Sequence, residues 1–145
     1  MLKRMLFSLV FIGMLACSKT DETNTQSSAA IPTALPEKID FFIEQDRYEE
    51  AFAALENEPA NEQTLKLKEK THLNYGIHTV YQSDPSSMRE NANKALREFI
   101  QVLDINRDNE KAISEIDNIM TIYASLNRSP EEDILEDLKR LGFNY

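Results

Sequence analysis

Cysteine, glycine and histidine are all scarce in this chain of 145 residues, which holds one, three and two of them. Each scarcity removes a kind of chemistry. A single thiol, Cys17, leaves no partner for an internal disulfide, even in an oxidising compartment. His72 and His78 lie six positions apart, about 120° around a helix, so they cannot share a metal ion. His72 reads as a helix-packing residue and His78 as a partly exposed one. Three glycines provide no Gly-rich phosphate loop and no nucleophile elbow, so neither catalysis nor a cofactor is expected.

Positive charge is also in short supply. Sixteen Lys and Arg stand against 25 Asp and Glu, a net charge of −9. Without Lys3 and Arg4 the remainder carries 14 basic and 25 acidic residues, or −11. A surface that acidic repels nucleic acid and anionic lipid headgroups, which excludes nucleic-acid binding. The one long apolar run, from Met5 to Leu15, is interrupted only by Ser8 and Gly13. It is too short for a stable membrane span and has the length of a signal-peptide core behind a basic start.

Residues 1–16 are therefore expected to be a signal peptide. Met14, Leu15, Ala16 and Cys17 resemble the lipobox of bacterial lipoproteins, in which a small residue precedes the cysteine that is lipidated and becomes the mature N-terminus. The resemblance implies lipidation, palmitate included, at Cys17. An ordinary secretory signal with a chance cysteine is the alternative. The acidic charge means that membrane attachment would come from the acyl chains. Residues 17–35 then comprise the lipidated cysteine and a flexible linker, since Ser18 to Leu35 has almost no large apolar residue and no period. Its 18 residues would span roughly 23 Å on average and stretch to about 60 Å, standing the folded part off a bilayer.

Residues 36–145 read as a helical domain with no strand pattern. Pro36 suits a first helical turn, with Ile39, Phe42 and Ile43 as its stripe. Tyr48, Ala51, Phe52 and Leu55 mark a second helix, and Pro59 with Asn61 opens a third over Thr64 to Tyr81. In that helix Leu65, His72, Tyr75, Gly76, Thr79 and Val80 lie on or near one face. Gly76 there costs about 1 kcal/mol against Ala, which predicts a close helix crossing. Ser87 and Glu90 form a capping-box pattern for a helix carrying Met88, Ala92, Ala95 and Phe99. Asp108 or Asn109 can cap the next helix, whose stripe is Ala112, Ile113, Ile116, Ile119, Met120 and Tyr123. Ser129, Pro130 and Glu132 predict the start of a sixth helix, and Gly142 its end. Its first-turn acids Glu131, Glu132 and Asp133 suit the helix dipole rather than a catalytic pair.

Six helices in pairs invite a test for an internal repeat. The segment from Ile43 to Leu55 resembles the turn and second helix of a tetratricopeptide repeat, with Tyr48, Ala51 and Leu55 at the family's positions. Ala95, Phe99 and Val102 resemble a second copy, closed by Asn106 to Asn109 with Arg107 in place of proline, and Ala112 with Ile116 begins a third. The resemblance covers residues 36–141 and departs from the family where Pro59 shortens a helix, where the loop before Met88 is longer, and where the last helix starts late. It implies an all-α fold of antiparallel helix pairs in a short solenoid of about six helices; a plain helical bundle is the alternative. In the family the first helix of each pair lines the concave face, which implies that Lys111, Ser114, Asn118 and Thr121 contact a protein partner.

A rival lies inside the same stretch. Asp104, Asn106, Asp108 and Glu115 occupy positions 1, 3, 5 and 12 of an EF-hand calcium loop. Position 6 is Asn109 rather than Gly, and position 8 is Lys111 rather than an apolar anchor, so no metal site is the expectation and calcium the weaker alternative.

The function these resemblances imply is a lipid-anchored cell-envelope scaffold or adaptor acting by protein–protein interaction. Ser18 after the cysteine is not the aspartate that resembles an inner-membrane retention signal, which favours the outer membrane, facing the periplasm, in a Gram-negative envelope. A pilotin-type lipoprotein, chaperoning a secretion component, and a calcium-binding helix-loop-helix module are the alternatives.

Overall fold

The computed structural model describes residues 30–81 and 84–145. The expected signal peptide, Cys17 and the expected linker as far as residue 29 lie outside them. Six α-helices and no strand occur among the described residues: α1 (Leu35–Glu44), α2 (Tyr48–Glu56), α3 (Glu62–Tyr81), α4 (Met88–Ile105), α5 (Glu110–Ser125) and α6 (Glu132–Arg140), with a 3₁₀ turn at Pro85–Ser87 before α4. The fold is all-α, built from packed antiparallel helix pairs in a short solenoid-like arrangement.

Local chemistry fixes the helix ends. Pro36 falls in the first turn of α1. Asn61 caps α3, its Oδ1 accepting from the Thr64 amide at 2.9 Å, and Asn109 caps α5 through the Ala112 amide at 2.9 Å. Asp46, Asn127 and Gly142 have positive φ, at 56°, 49° and 97°. Each follows a helix and closes it with paired bonds back to its last turn; after α6, Gly142 N donates to the Lys139 carbonyl and Phe143 N to the Leu138 carbonyl, both at 3.0 Å.

Two expected caps are absent. Ser87 makes no side-chain cap bond; instead Asp84 Oδ1 accepts from the Ser86 amide at 2.8 Å and organises the 3₁₀ turn. The sixth helix begins at Glu132 rather than Pro130, and its N-cap Glu131 makes no cap bond. The Glu131 carboxylate is occupied across the fold by Asn93 and Arg97.

Two apolar clusters fill the interior. Ile39, Phe42, Ala51, Leu55 and Leu67 join α1, α2 and the start of α3. The larger cluster joins α4, α5 and α6 around Phe99, Ile116, Ile134 and Leu138. The long helix α3 packs on α2 with one side and on α4 with another. That two-sided packing explains why its buried residues, Thr64, Leu67, Thr71, Gly76 and Thr79, trace no single stripe. Leu65, expected on the buried face, is exposed. Thr71 is tolerated inside because its hydroxyl donates to the Leu67 carbonyl at 2.8 Å.

Gly76 is where α3 and α4 meet. A Cβ there would sit 2.6 Å from Phe99 Cε1, so the expected close crossing is present. The pair is further tied by Glu69, whose Oε1 accepts from Asn106 Nδ2 at 2.8 Å and Asn109 Nδ2 at 2.7 Å. His72 packs as expected, its ring 4.7 Å from that of Phe52, with Nδ1 2.7 Å from Glu98 Oε2.

Candidate functional site

The short turn between α4 and α5 returns the chain so that the end of α5 lies beside the start of α4. Tyr123, near the end of α5, is buried, and its hydroxyl donates to Asn93 Oδ1 at 2.6 Å. Burial raises the Tyr123 phenol above its ordinary pKa, keeping it a donor. Asn93 passes the connection on, its Nδ2 donating to Glu131 Oε1 at 2.8 Å. Arg97 donates to both Glu131 and Asp133, and these bonds hold both carboxyls below the usual range. One polar chain thus joins α5, α4 and the start of α6.

Over this base lies a groove of ≈ 360 Å³ between the last turn of α3, the first turns of α4 and the second half of α5. Seven large apolar side chains among the described residues are exposed, and four of them line this groove: Tyr81 (60%), Met88 (60%), Ile122 (52%) and Leu126 (56%). Apolar side chains scattered singly over a surface need no explanation, but convergence of four on one concave site makes it the candidate binding site. A wider depression of ≈ 570 Å³ over α2, α3 and α4 holds only one such residue, Leu65.

Tyr81 forms one wall and is held from below. Its hydroxyl donates to Glu115 Oε2 at 2.9 Å, and this bond raises its pKa. Glu115 itself is 1% exposed. It survives burial because Lys111 Nζ donates to the other carboxylate oxygen, satisfying both sides of the group. Only the carboxylate of this pair is buried; the Lys111 side chain is 56% exposed, so the pair satisfies Glu115 more than it adds stability.

The four residues expected to meet a partner are all exposed on α5. Lys111 and Asn118, seven positions apart, share a side of the helix with Ile122, while Ser114 and Thr121 lie about 60° further round. The Lys111 ammonium is held by Glu115, and the Thr121 hydroxyl donates to the Asp117 carbonyl at 2.8 Å. None of the four lines the groove. Ile122 and Leu126 do, and their signal in the sequence was two apolar residues four apart, beside the core stripe rather than on it. Met88, read as the start of a buried stripe, is exposed because the 3₁₀ turn places it at the rim.

The calcium candidates are held apart. Asp104 receives Arg140 in a two-point ion pair, Nη1 to Oδ1 at 2.6 Å and Nη2 to Oδ2 at 3.0 Å. Asn106 donates to Glu69 and accepts from the Asp108 amide, and Glu115 points to Tyr81 and Lys111. Among the described residues no group of three or more His, Cys, Asp or Glu side chains is arranged to hold a metal ion. His78 pairs with Asp46 at 3.1 Å, away from His72.

Comparison of the chain with known protein families, with curated proteins and with solved structures finds no match among them.

Proposed function

We propose that this chain is a lipid-anchored adaptor of the bacterial cell envelope, tethered through Cys17 and binding another protein with its helical domain. The observation that carries the protein-binding half is the convergence of Tyr81, Met88, Ile122 and Leu126 on one groove. Exposed apolar surface is costly to maintain, and burial against a partner recovers roughly 25 cal/mol per Å² removed from water. The anchor rests on the lipobox-like run ending at Cys17, the chain's single cysteine. No helix among the described residues is long and apolar enough to cross a membrane, so under this reading attachment depends on acyl chains at about 0.8 kcal/mol per buried CH₂. The solenoid-like stack of helix pairs is an architecture suited to extended binding surfaces, which supports the adaptor reading and the likeness to tetratricopeptide repeats.

Labelling with palmitate tests the anchor: wild-type chain should take up label and fractionate with membranes, and Cys17→Ser should do neither. Label persisting in Cys17→Ser would show that the lipobox reading is wrong. Solubilising the envelope in mild detergent and purifying the lipidated chain tests the other half. A protein should co-purify in stoichiometric amount; recovery of the chain alone or with lipid only would remove the adaptor reading.

A further inference from the structure

The groove carries positive charge that no carboxylate of the described residues pairs with. Six arginines are described, and three of them are held by carboxylates: Arg47 by Glu50, Arg97 by Glu131 and Asp133, Arg140 by Asp104 and Asp137. Arg89, Arg107 and Arg128 form no ion pair among the described residues, and two of those three, Arg89 and Arg128, line the groove. In a chain with 25 acidic residues against 16 basic ones, potential partners for a guanidinium are abundant. Asp84, the carboxylate in the groove lining, is turned to its own chain, accepting from the Ser86 amide at 2.8 Å.

Resting on the adaptor reading, we infer that the groove docks an acidic amphipathic helix of the partner protein. Apolar side chains at i, i+3 or i+4, and i+7 of that helix rest on Met88, Ile122 and Leu126. Carboxylates flanking the apolar stripe meet Arg89 and Arg128, whose planar donor forks suit two-point pairing. Helix-in-groove recognition matches walls that are themselves helices, and no strand edge exists among the described residues for an added strand. The volume of ≈ 360 Å³ is at the small end of ligand pockets, room for the few anchor side chains that dominate an interface.

Two other occupants fit less well. A second copy related by a twofold axis would set Arg89 and Arg128 against their own counterparts, like charge against like. A fatty acid needs most of its surface buried, whereas the four apolar side chains that would cover it are each more than half exposed.

A photoreactive residue at Asn91, on the groove lining but not an anchor, tests this in cells expressing the full lipidated chain; the same residue at Ser114 serves as the off-groove position. Mass spectrometry of the adduct should find a segment of another protein with apolar residues three and four apart and Asp or Glu within a turn of them. Adduct yield should fall about tenfold in Arg89→Glu with Arg128→Glu. Should the reversed chain lose its fold, Arg89→Gln with Arg128→Gln makes the same comparison. An adduct to lipid, to a second copy or to a segment without carboxylates overturns the inference, as does a yield indifferent to the arginine changes. If Ser114 captures a protein and Asn91 does not, the adaptor reading stands and the groove inference fails. If neither position captures a protein, both fail.

Discussion

The ring of Phe99 fills the space that any side chain on Gly76 would need, with three ring carbons within 3.0 Å of the missing Cβ. Phe99 is fully buried, so its ring cannot swing into solvent to make room. Gly76→Ala therefore sets two effects against each other: a helix-propensity gain of about 1 kcal/mol and an overpacking cost of about 1–3 kcal/mol. The expected net result is a lower urea midpoint, and a midpoint equal to wild type would show that the crossing is looser than the structure has it. Phe99→Ala should cost more, roughly 3–5 kcal/mol, because it leaves a cavity among α3, α4 and α5. Charged residues make a separate contribution at acid pH. Hydrogen bonds from Arg140 lower the Asp104 carboxyl, and those from Arg97 lower Glu131 and Asp133. A carboxyl depressed in the folded state binds its proton more readily when unfolded, so its stabilisation is present above the unfolded pKa, about 4, and is lost as pH falls through the folded value. Melting temperatures measured from pH 7 downward should drop below about pH 4. Arg140→Gln should flatten that decline, and an unchanged acid limb would remove Asp104 from the explanation.

The turn between α4 and α5 shows how one element serves several purposes at once. Asn109 caps α5 with its oxygen and reaches Glu69 on α3 with its nitrogen. Asn109→Ala should lower stability by about 1–2 kcal/mol, the upper part of the range for a lost cap, since a bond between helices goes with it. The cap was legible in the sequence because it depends on residues three apart. The partner of its amide nitrogen was not, because Glu69 lies 40 positions away. The same distinction runs through the other elements. Gly142 announced the end of α6 through backbone chemistry alone, while the capping pattern at Ser87 gave way to the local turn organised by Asp84 and that at Ser129 to tertiary contacts. Glu131 was drawn to Arg97 and Asn93 instead of its own helix. The residues at the EF-hand spacing are likewise engaged by tertiary partners: Asp104 by Arg140 from α6 and Glu115 by Tyr81 from α3. Calcium at 1 mM should accordingly leave the melting temperature unchanged. A loop binding with Kd near 10 µM would add about 2.7 kcal/mol, and a rise of that size, lost in Asp108→Ala, would restore the calcium reading.

At the scale of the whole molecule, helix number, order and pairing followed from apolar spacing, and the boundaries moved by only a residue or two. The groove did not follow, because its members come from three helices and look individually ordinary. Ile122 and Leu126 sit beside the α5 stripe, Met88 read as core, and Tyr81 stood at the end of a helix, outside the face read for it. Only packing brings them together, and only exposure distinguishes them from core. The expected partner face and the observed groove nevertheless share α5, since Lys111, Asn118 and Ile122 follow one line along it. That proximity makes the two surfaces directly comparable. Met88→Ser with Ile122→Ser removes groove anchors, while Lys111→Ala with Asn118→Ala alters the polar face; the changes at Met88, Ile122 and Asn118 should each cost no more than about 0.5 kcal/mol, and Lys111→Ala costs more because it leaves the buried Glu115 carboxylate without its ammonium partner. On the proposed adaptor function, recovery of a co-purifying protein by the full chain, measured for both pairs alongside wild type, is the deciding comparison. If the groove binds the partner, the Met88/Ile122 pair loses that recovery while keeping the wild-type melting temperature, and the Lys111/Asn118 pair retains most of it. Wild-type recovery by a folded Met88/Ile122 pair would contradict the assignment of binding to this groove.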